Sequence, residues 1–151
     1  MRKIDLGQGL TILANIGVLI GIAFLAIEIR QNTTSLEVGA YQDLLRQIST
    51  LNEISIQNPR VWNQIESVPL SEMEPSEWEA TTSMIVMVFR HGDMAYHQYE
   101  RGLISKERLE SALKPLSGNI GVANIKELWK IRRNGFVESY RGYIDSLIEA
   151  C

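Results

Sequence analysis

The residues whose types and spacing best suit chemistry are Asp93, His97 and Glu100, in the polar stretch that begins at Arg90. Steps of four and three residues place the three side chains on one face of a helix. Two carboxylates and an imidazole could together bind a metal ion. Di-metal bundles, however, also use Glu-x-x-His motifs on facing helices, and zinc needs ligands that this sequence does not offer. We therefore interpret the three residues as solvated or ion-paired surface and predict no metal site.

A second group of interest is a basic cluster near the end of the chain, formed by Lys126, Lys130, Arg132 and Arg133. Such residues can meet anionic lipid headgroups, at about 1 kcal/mol for each contact near the surface. They can equally pair with acidic residues of neighbouring helices. Glu127 and Glu138 dilute the cluster, so we favour pairing within the domain and keep contact with lipid headgroups or a partner as the alternative.

Signatures of the common enzyme classes are missing. Serine, histidine and aspartate occur without a Gly-x-Ser-x-Gly elbow, and the segment Gly118-Asn-Ile-Gly121 has too few glycines and no lysine for a phosphate loop. The net charge of −3 provides no basic surface for nucleic acid. The single Cys151 cannot form an intrachain disulfide. We predict a non-enzymatic protein with no catalytic residue, no cofactor and no nucleic-acid partner.

Helices must position the two polar clusters described above, because apolar residues after residue 30 recur at intervals of three and four. The first stripe runs from Leu36 to Leu51 and should end near Gln57, since Asn58-Pro59 is typical of an N-cap followed by proline at the first helical position. Gly102 is typical of a helix C-terminus, and Ser105 is typical of the N-cap of the next helix. No alternating strand pattern is present, and the three tryptophans suit helix contacts. The sequence predicts an all-α fold, with a helical bundle over residues 30–151.

The N-terminal segment, residues 6–29, is predicted to be a transmembrane helix. No charged side chain occurs from Leu6 to Ile27, and as a helix this stretch is about 33 Å long, against a hydrocarbon core of about 30 Å. A buried core helix would be shorter and would have a polar face. A signal peptide is the other alternative, with Arg2 and Lys3 as its basic start, but the apolar run is too long and lacks a convincing cleavage site. We therefore expect a retained anchor.

Three small residues, Ala14, Gly17 and Gly21, share one face of this segment. Small residues at this spacing let two membrane helices approach closely, so this face is a candidate for helix packing. The alternative is that it faces lipid and pairs with nothing. Basic residues precede and follow the segment in similar numbers, which leaves the orientation open.

Three segments point to a family. Leu25-Ala-Ile-Glu-Ile-Arg-Gln-Asn-Thr33 closes the apolar run, Tyr99-Glu-Arg-Gly-Leu-Ile104 follows the longest helical pattern, and an aromatic segment runs from Trp129 to Tyr143. Together they resemble a widespread family of uncharacterised bacterial membrane proteins, which have one N-terminal anchor ending in Leu-Ala-x-x-Ile-Arg-Gln-Asn-Thr and then a helical domain. Glu28 stands where the family pattern has a neutral glutamine. The resemblance implies a single-pass protein of the bacterial inner membrane and implies no activity.

These features predict a membrane-anchored, non-enzymatic helical protein that acts through protein–protein contacts, as an oligomer or as an accessory subunit of a membrane complex. Its expected partners are the lipid bilayer and either a second protein or another copy of the chain, paired through the anchor. A small-molecule sensing domain is the alternative, and it requires a sizeable pocket between helices. A metal-dependent enzyme using Asp93, His97 and Glu100 is the least favoured.

Overall fold

A computed structural model of the chain describes residues 6–150, with only the backbone described at residue 6. Arg2 and Lys3, the basic residues before the apolar segment, and the single Cys151 lie outside the described residues. Within 6–150 the secondary structure is helical, without a strand, so the predicted all-α fold is confirmed. The α-helices are α1 Leu6–Gln57, α2 Pro59–Ser67, α3 Pro75–Glu100, α4 Lys106–Ala112, α5 Lys114–Ser117, α6 Ala123–Arg132 and α7 Glu138–Glu149, with short 3-10 helices at Leu70–Glu72 and Arg133–Gly135.

Backbone contacts divide the chain into two compact units, Met1–Gly39 and Ala40–Cys151. The described part of the first unit consists of α1 residues 6–39. Its large apolar side chains are exposed on every side of the helix, as Phe24 illustrates at 68 % exposure. Helix α1 continues without a break through residues 30–36. The hydroxyls of Thr33, Thr34 and Ser35 there donate to carbonyl oxygens four residues earlier, which satisfies them within the helix.

The second unit has α3 as its central helix, which packs against α2, α4, α5, α6 and α7. Its core combines aliphatic residues of all these helices with an aromatic cluster. The ring of Phe89 lies 4.8 Å from that of Trp129, and the ring of Phe136 lies 5.3 Å from that of Trp129. Tyr140 is fully buried beside them, and its hydroxyl donates to the Phe89 carbonyl oxygen at 2.9 Å. These contacts fix α3 against α6 and α7.

Helix ends lie where the sequence predicts them. Helix α1 ends at Gln57 and α2 begins at Pro59, although the Asn58 side chain donates back to the Ile54 carbonyl oxygen instead of capping α2. Gly102, with φ of 70°, ends α3 in a left-handed conformation that glycine adopts without strain. Ser105 caps α4 by accepting from the Arg108 backbone N–H at 3.3 Å.

One buried polar residue holds the segment between α2 and α3. The Asn124 side chain is 5 % exposed. Its amide nitrogen donates to the carbonyl oxygens of Ile65 (2.9 Å) and Val68 (2.7 Å), and its amide oxygen accepts from the Leu70 backbone N–H at 3.2 Å. These carbonyl and N–H groups lie at the end of α2, where helix hydrogen bonds run out. Asn124 therefore replaces water as their partner and joins α6 to the end of α2.

Candidate functional site

The three residues first considered for chemistry lie along one side of α3 without forming a ligand cluster. Asp93 is half-buried and pairs with Arg90 at 3.2 Å, whereas His97 and Glu100 are exposed. Among the described residues, no group of three or more His, Cys, Asp and Glu side chains is arranged to hold a metal ion. The arrangement therefore fits an ion-paired helix surface.

The basic cluster divides by environment. Lys130 and Arg132 are exposed, and Lys126 is half-buried. Arg133 is half-buried, and its guanidinium pairs with the Asp145 carboxylate on α7. Asp145 also accepts from the Trp129 indole N–H at 2.7 Å, so this carboxylate links α6 to α7. Arg133, which the sequence pattern grouped with the basic cluster, thus has a structural role.

The small-residue face of the first unit is open. Ala14, Gly17 and Gly21 are exposed, and a Cβ added at either glycine would meet no atom within 4 Å. The helix that carries them contains an apolar window of 18 residues, long enough to cross a membrane, and none of that window is buried within the protein. By length and composition a signal sequence passes the same test. Over residues 6–150 the structure therefore supports one candidate membrane span, with a free surface for packing.

Sequence reasoning missed a groove in the second unit, between α1 residues 46–51 and α3 residues 86–94. It encloses about 350 Å³ and is lined by Arg46, Gln47, Thr50, Leu51, Val86, Met87, Arg90, His91 and Met94. We call it the Met87 groove. A second cavity of about 520 Å³ adjoins it along Val86, Met87 and Arg90, and extends towards Arg132 and Phe136. The sequence signal was present, since Met87, His91 and Met94 recur on one helix face, but this spacing equally suits a core stripe.

His91 forms one wall of the Met87 groove and is only 4 % exposed. Its Nε2 lies 3.2 Å from the Ala112 carbonyl oxygen, which can only accept, so Nε2 carries the proton and donates. Its Nδ1 lies 3.4 Å from Gln47 Oε1. Burial lowers the pKa of His91 below its usual value, and the hydrogen bond to Ala112 opposes this shift. The imidazole is therefore neutral near neutral pH, and its hydrogen bond to Ala112 joins α3 to α4.

Arg90 lies at the border of both cavities and is held in place on three sides. Its guanidinium pairs with Asp93, donates to the Gly135 carbonyl oxygen at 3.0 Å, and stacks 4.1 Å above the centre of the Phe136 ring. A guanidinium has five N–H donors, so these contacts leave donors free for a further acceptor. The three contacts hold the Arg90 guanidinium at the border of both cavities.

Comparison with protein-family models, with curated proteins and with solved structures found no match to this chain. The resemblance to uncharacterised bacterial membrane proteins therefore stays a prediction from the sequence.

Proposed function

We propose that this protein is a single-pass membrane protein that acts through protein–protein contacts, with α1 residues 6–29 as a retained anchor in the bacterial inner membrane. The observation that carries the proposal is the first unit, whose apolar side chains are exposed all round the helix and whose small-residue face is open. Lipid would cover the large side chains. The face formed by Ala14, Gly17 and Gly21 would pack against another helix, because van der Waals contact between close backbones drives association in membranes.

The second unit supports a binding role more than a catalytic one. Several of its charged residues take part in ion pairs on or between helices, as Arg60 does with Glu77 at 2.7 Å and Arg133 with Asp145. Two of its aromatic residues, Trp129 and Tyr140, are buried in the core. In the proposed assembly the partner is a second copy of the chain or another membrane protein.

The first test is the mass of the intact chain recovered from membranes. A chain that retains its first residues supports the anchor, whereas loss of the apolar segment would identify a cleaved signal peptide and contradict the proposal. The second test is native mass determination after gentle detergent extraction. We expect an assembly larger than one chain, and a lone monomer under these conditions would contradict the interaction role.

Matched variants can locate the contact. Gly17→Leu with Gly21→Leu should reduce the assembly to monomer, because two bulky side chains keep the helix backbones apart. Ala23→Leu is the control, since residue 23 lies on the opposite side of the helix from residue 14 at about 100° per residue. The control should leave the assembly intact. Equal disruption by both variants would show that leucine acts through lipid packing and not through this face.

A further inference from the structure

We propose that the Met87 groove binds a long-chain carboxylate, with its alkyl chain on the apolar residues of α1 and α3 and its carboxylate at the flanking arginines. The site lies wholly within the second unit and does not depend on pairing in the membrane. Its volume of about 350 Å³ falls within the range of about 300–1,000 Å³ that is usual for small-molecule sites.

The charge of the lining selects an anion. Across the Met87 groove and the adjoining cavity, the charged lining residues are Arg46, Arg90 and Arg132, and no acidic residue of the described chain lines either one. Asp43 pairs with Arg46 at 3.3 Å, and Asp93 pairs with Arg90 at 3.2 Å. Neither aspartate lines a cavity. Both pairs are solvent-exposed in part, so each contributes little stability. A ligand carboxylate can share or replace these partners at small cost, whereas a cation would meet three guanidiniums.

The apolar part of the lining suits an alkyl chain. The apolar lining of the groove is formed by Leu51, Val86, Met87 and Met94. Methionine side chains are flexible and adapt to irregular partners, and the Met94 side chain is 43 % exposed. Because Val86 and Met87 also line the adjoining cavity, a chain that outgrows the groove can continue past them. An apolar surface bordered by cations is the pattern expected for an anionic amphiphile.

The test uses the full chain in nanodiscs of neutral phosphatidylcholine, with a photoreactive dodecanoate as the probe and mass spectrometry to locate the label. We expect label on α1 residues 46–51 and α3 residues 86–94, displaced by dodecanoate and much less by dodecanol. Affinity should rise from octanoate to dodecanoate by up to about fourfold for each methylene, which corresponds to about 0.8 kcal/mol for a fully buried group.

Three variants sharpen the result. Arg46→Gln should weaken dodecanoate binding by about fivefold, the effect of an exposed ion pair worth about 1 kcal/mol, and it removes a side chain that is 76 % exposed, so folding is spared. Arg60→Gln is the matched control, because Arg60 is also exposed and lines neither cavity. Met87→Trp should fill the groove and abolish labelling there.

Three results would overturn the proposal. Label confined to the anchor, residues 10–29, would mean that the probe follows bulk lipid. Equal displacement by dodecanol would mean that the arginines do not recognise the carboxylate. Unchanged affinity in Arg46→Gln, with Arg60→Gln as reference, would remove the charge argument even if Met87→Trp failed to fold.

Discussion

Replacing Gly92 by alanine should destabilise the second unit, although alanine is the better helix former. Gly92 lies in the middle of α3, where the helix meets α4, α5 and α7. A Cβ built at this position would overlap the hydroxyl oxygen of Tyr140 and stand 2.8 Å from Leu113 Cδ2 and 3.4 Å from Leu116 Cδ2. Tyr140 cannot easily retreat, because it is fully buried and its hydroxyl is bound to the Phe89 carbonyl oxygen.

Three contributions decide how much Gly92→Ala changes the free energy of unfolding. The exchange gains about 1 kcal/mol of helix propensity. Overpacking a buried contact costs about 1–3 kcal/mol. Displacing the Tyr140 hydroxyl from its carbonyl costs about 1 kcal/mol more. The net expectation is a loss of about 1–3 kcal/mol in the free energy of unfolding.

Urea unfolding of the full chain in neutral micelles, followed by tryptophan fluorescence, measures this loss. Trp62, Trp78 and Trp129 all belong to the second unit, so the signal reports that unit and not the anchor. The control is Gly142→Ala on α7, where an added Cβ would meet no atom within 4 Å. That variant should stabilise by about 0.5–1 kcal/mol, the usual gain of alanine over glycine in a helix.

Tyr140→Phe completes the argument by removing the oxygen that the new methyl group would strike. Alone it should cost about 1 kcal/mol, the lost hydrogen bond. In the Tyr140→Phe background the cost of Gly92→Ala should fall by about 1 kcal/mol or more, since residues in contact are not additive. Two results would refute this reasoning: a Gly92→Ala variant as stable as Gly142→Ala, or purely additive effects of the two changes.

Two further predictions concern the other buried polar groups. Asn124→Asp should lower the free energy of unfolding by about 3 kcal/mol, because it removes two donors and faces a carboxylate towards two carbonyl oxygens. The control is the exposed Asn63→Asp, which should change this free energy little. Equal effects of the two variants in urea titrations would contradict the role of Asn124. The unfolding free energy should fall as pH decreases through about 6.5, since the pKa of His91 is lowered in the folded state and the unfolded chain then binds more protons. His91→Gln should lose this pH dependence whereas the exposed His97→Gln keeps it, and an unchanged profile in His91→Gln would refute the assignment.

The sequence predicted those features that depend on neighbouring residues. Proline at the start of α2 and glycine at the end of α3 mark helix boundaries through their own backbone preferences. The capping serine before α4 acts through a residue three positions away. The helix that could span a membrane is equally local, since its recognition depends on the length and apolarity of one uninterrupted run.

What the sequence could not predict depends on residues far apart in the chain. Gly92 interrupts no pattern, and its role follows only from the approach of Tyr140 on α7. Asn124 reads as an ordinary helix-start residue until the carbonyl groups at the end of α2 are placed beside it. Arg133 belonged to a basic cluster until α7 brought Asp145 to it. Each of these roles is created by tertiary packing, which periodicity does not encode.

The first unit raises the question of what covers it, because twelve large apolar side chains from Leu10 to Ile29 are exposed. A patch of this size is far beyond what a soluble monomer leaves in water. A protein partner would cover one face of a helix, but here the exposed side chains surround it. The Thr11 hydroxyl of this helix donates to the Gly7 carbonyl oxygen at 2.9 Å, and polar groups in hydrocarbon must be satisfied internally in this way. A medium that is apolar on all sides meets these requirements, which is why the bilayer, with a partner only along the glycine face, is the covering we propose.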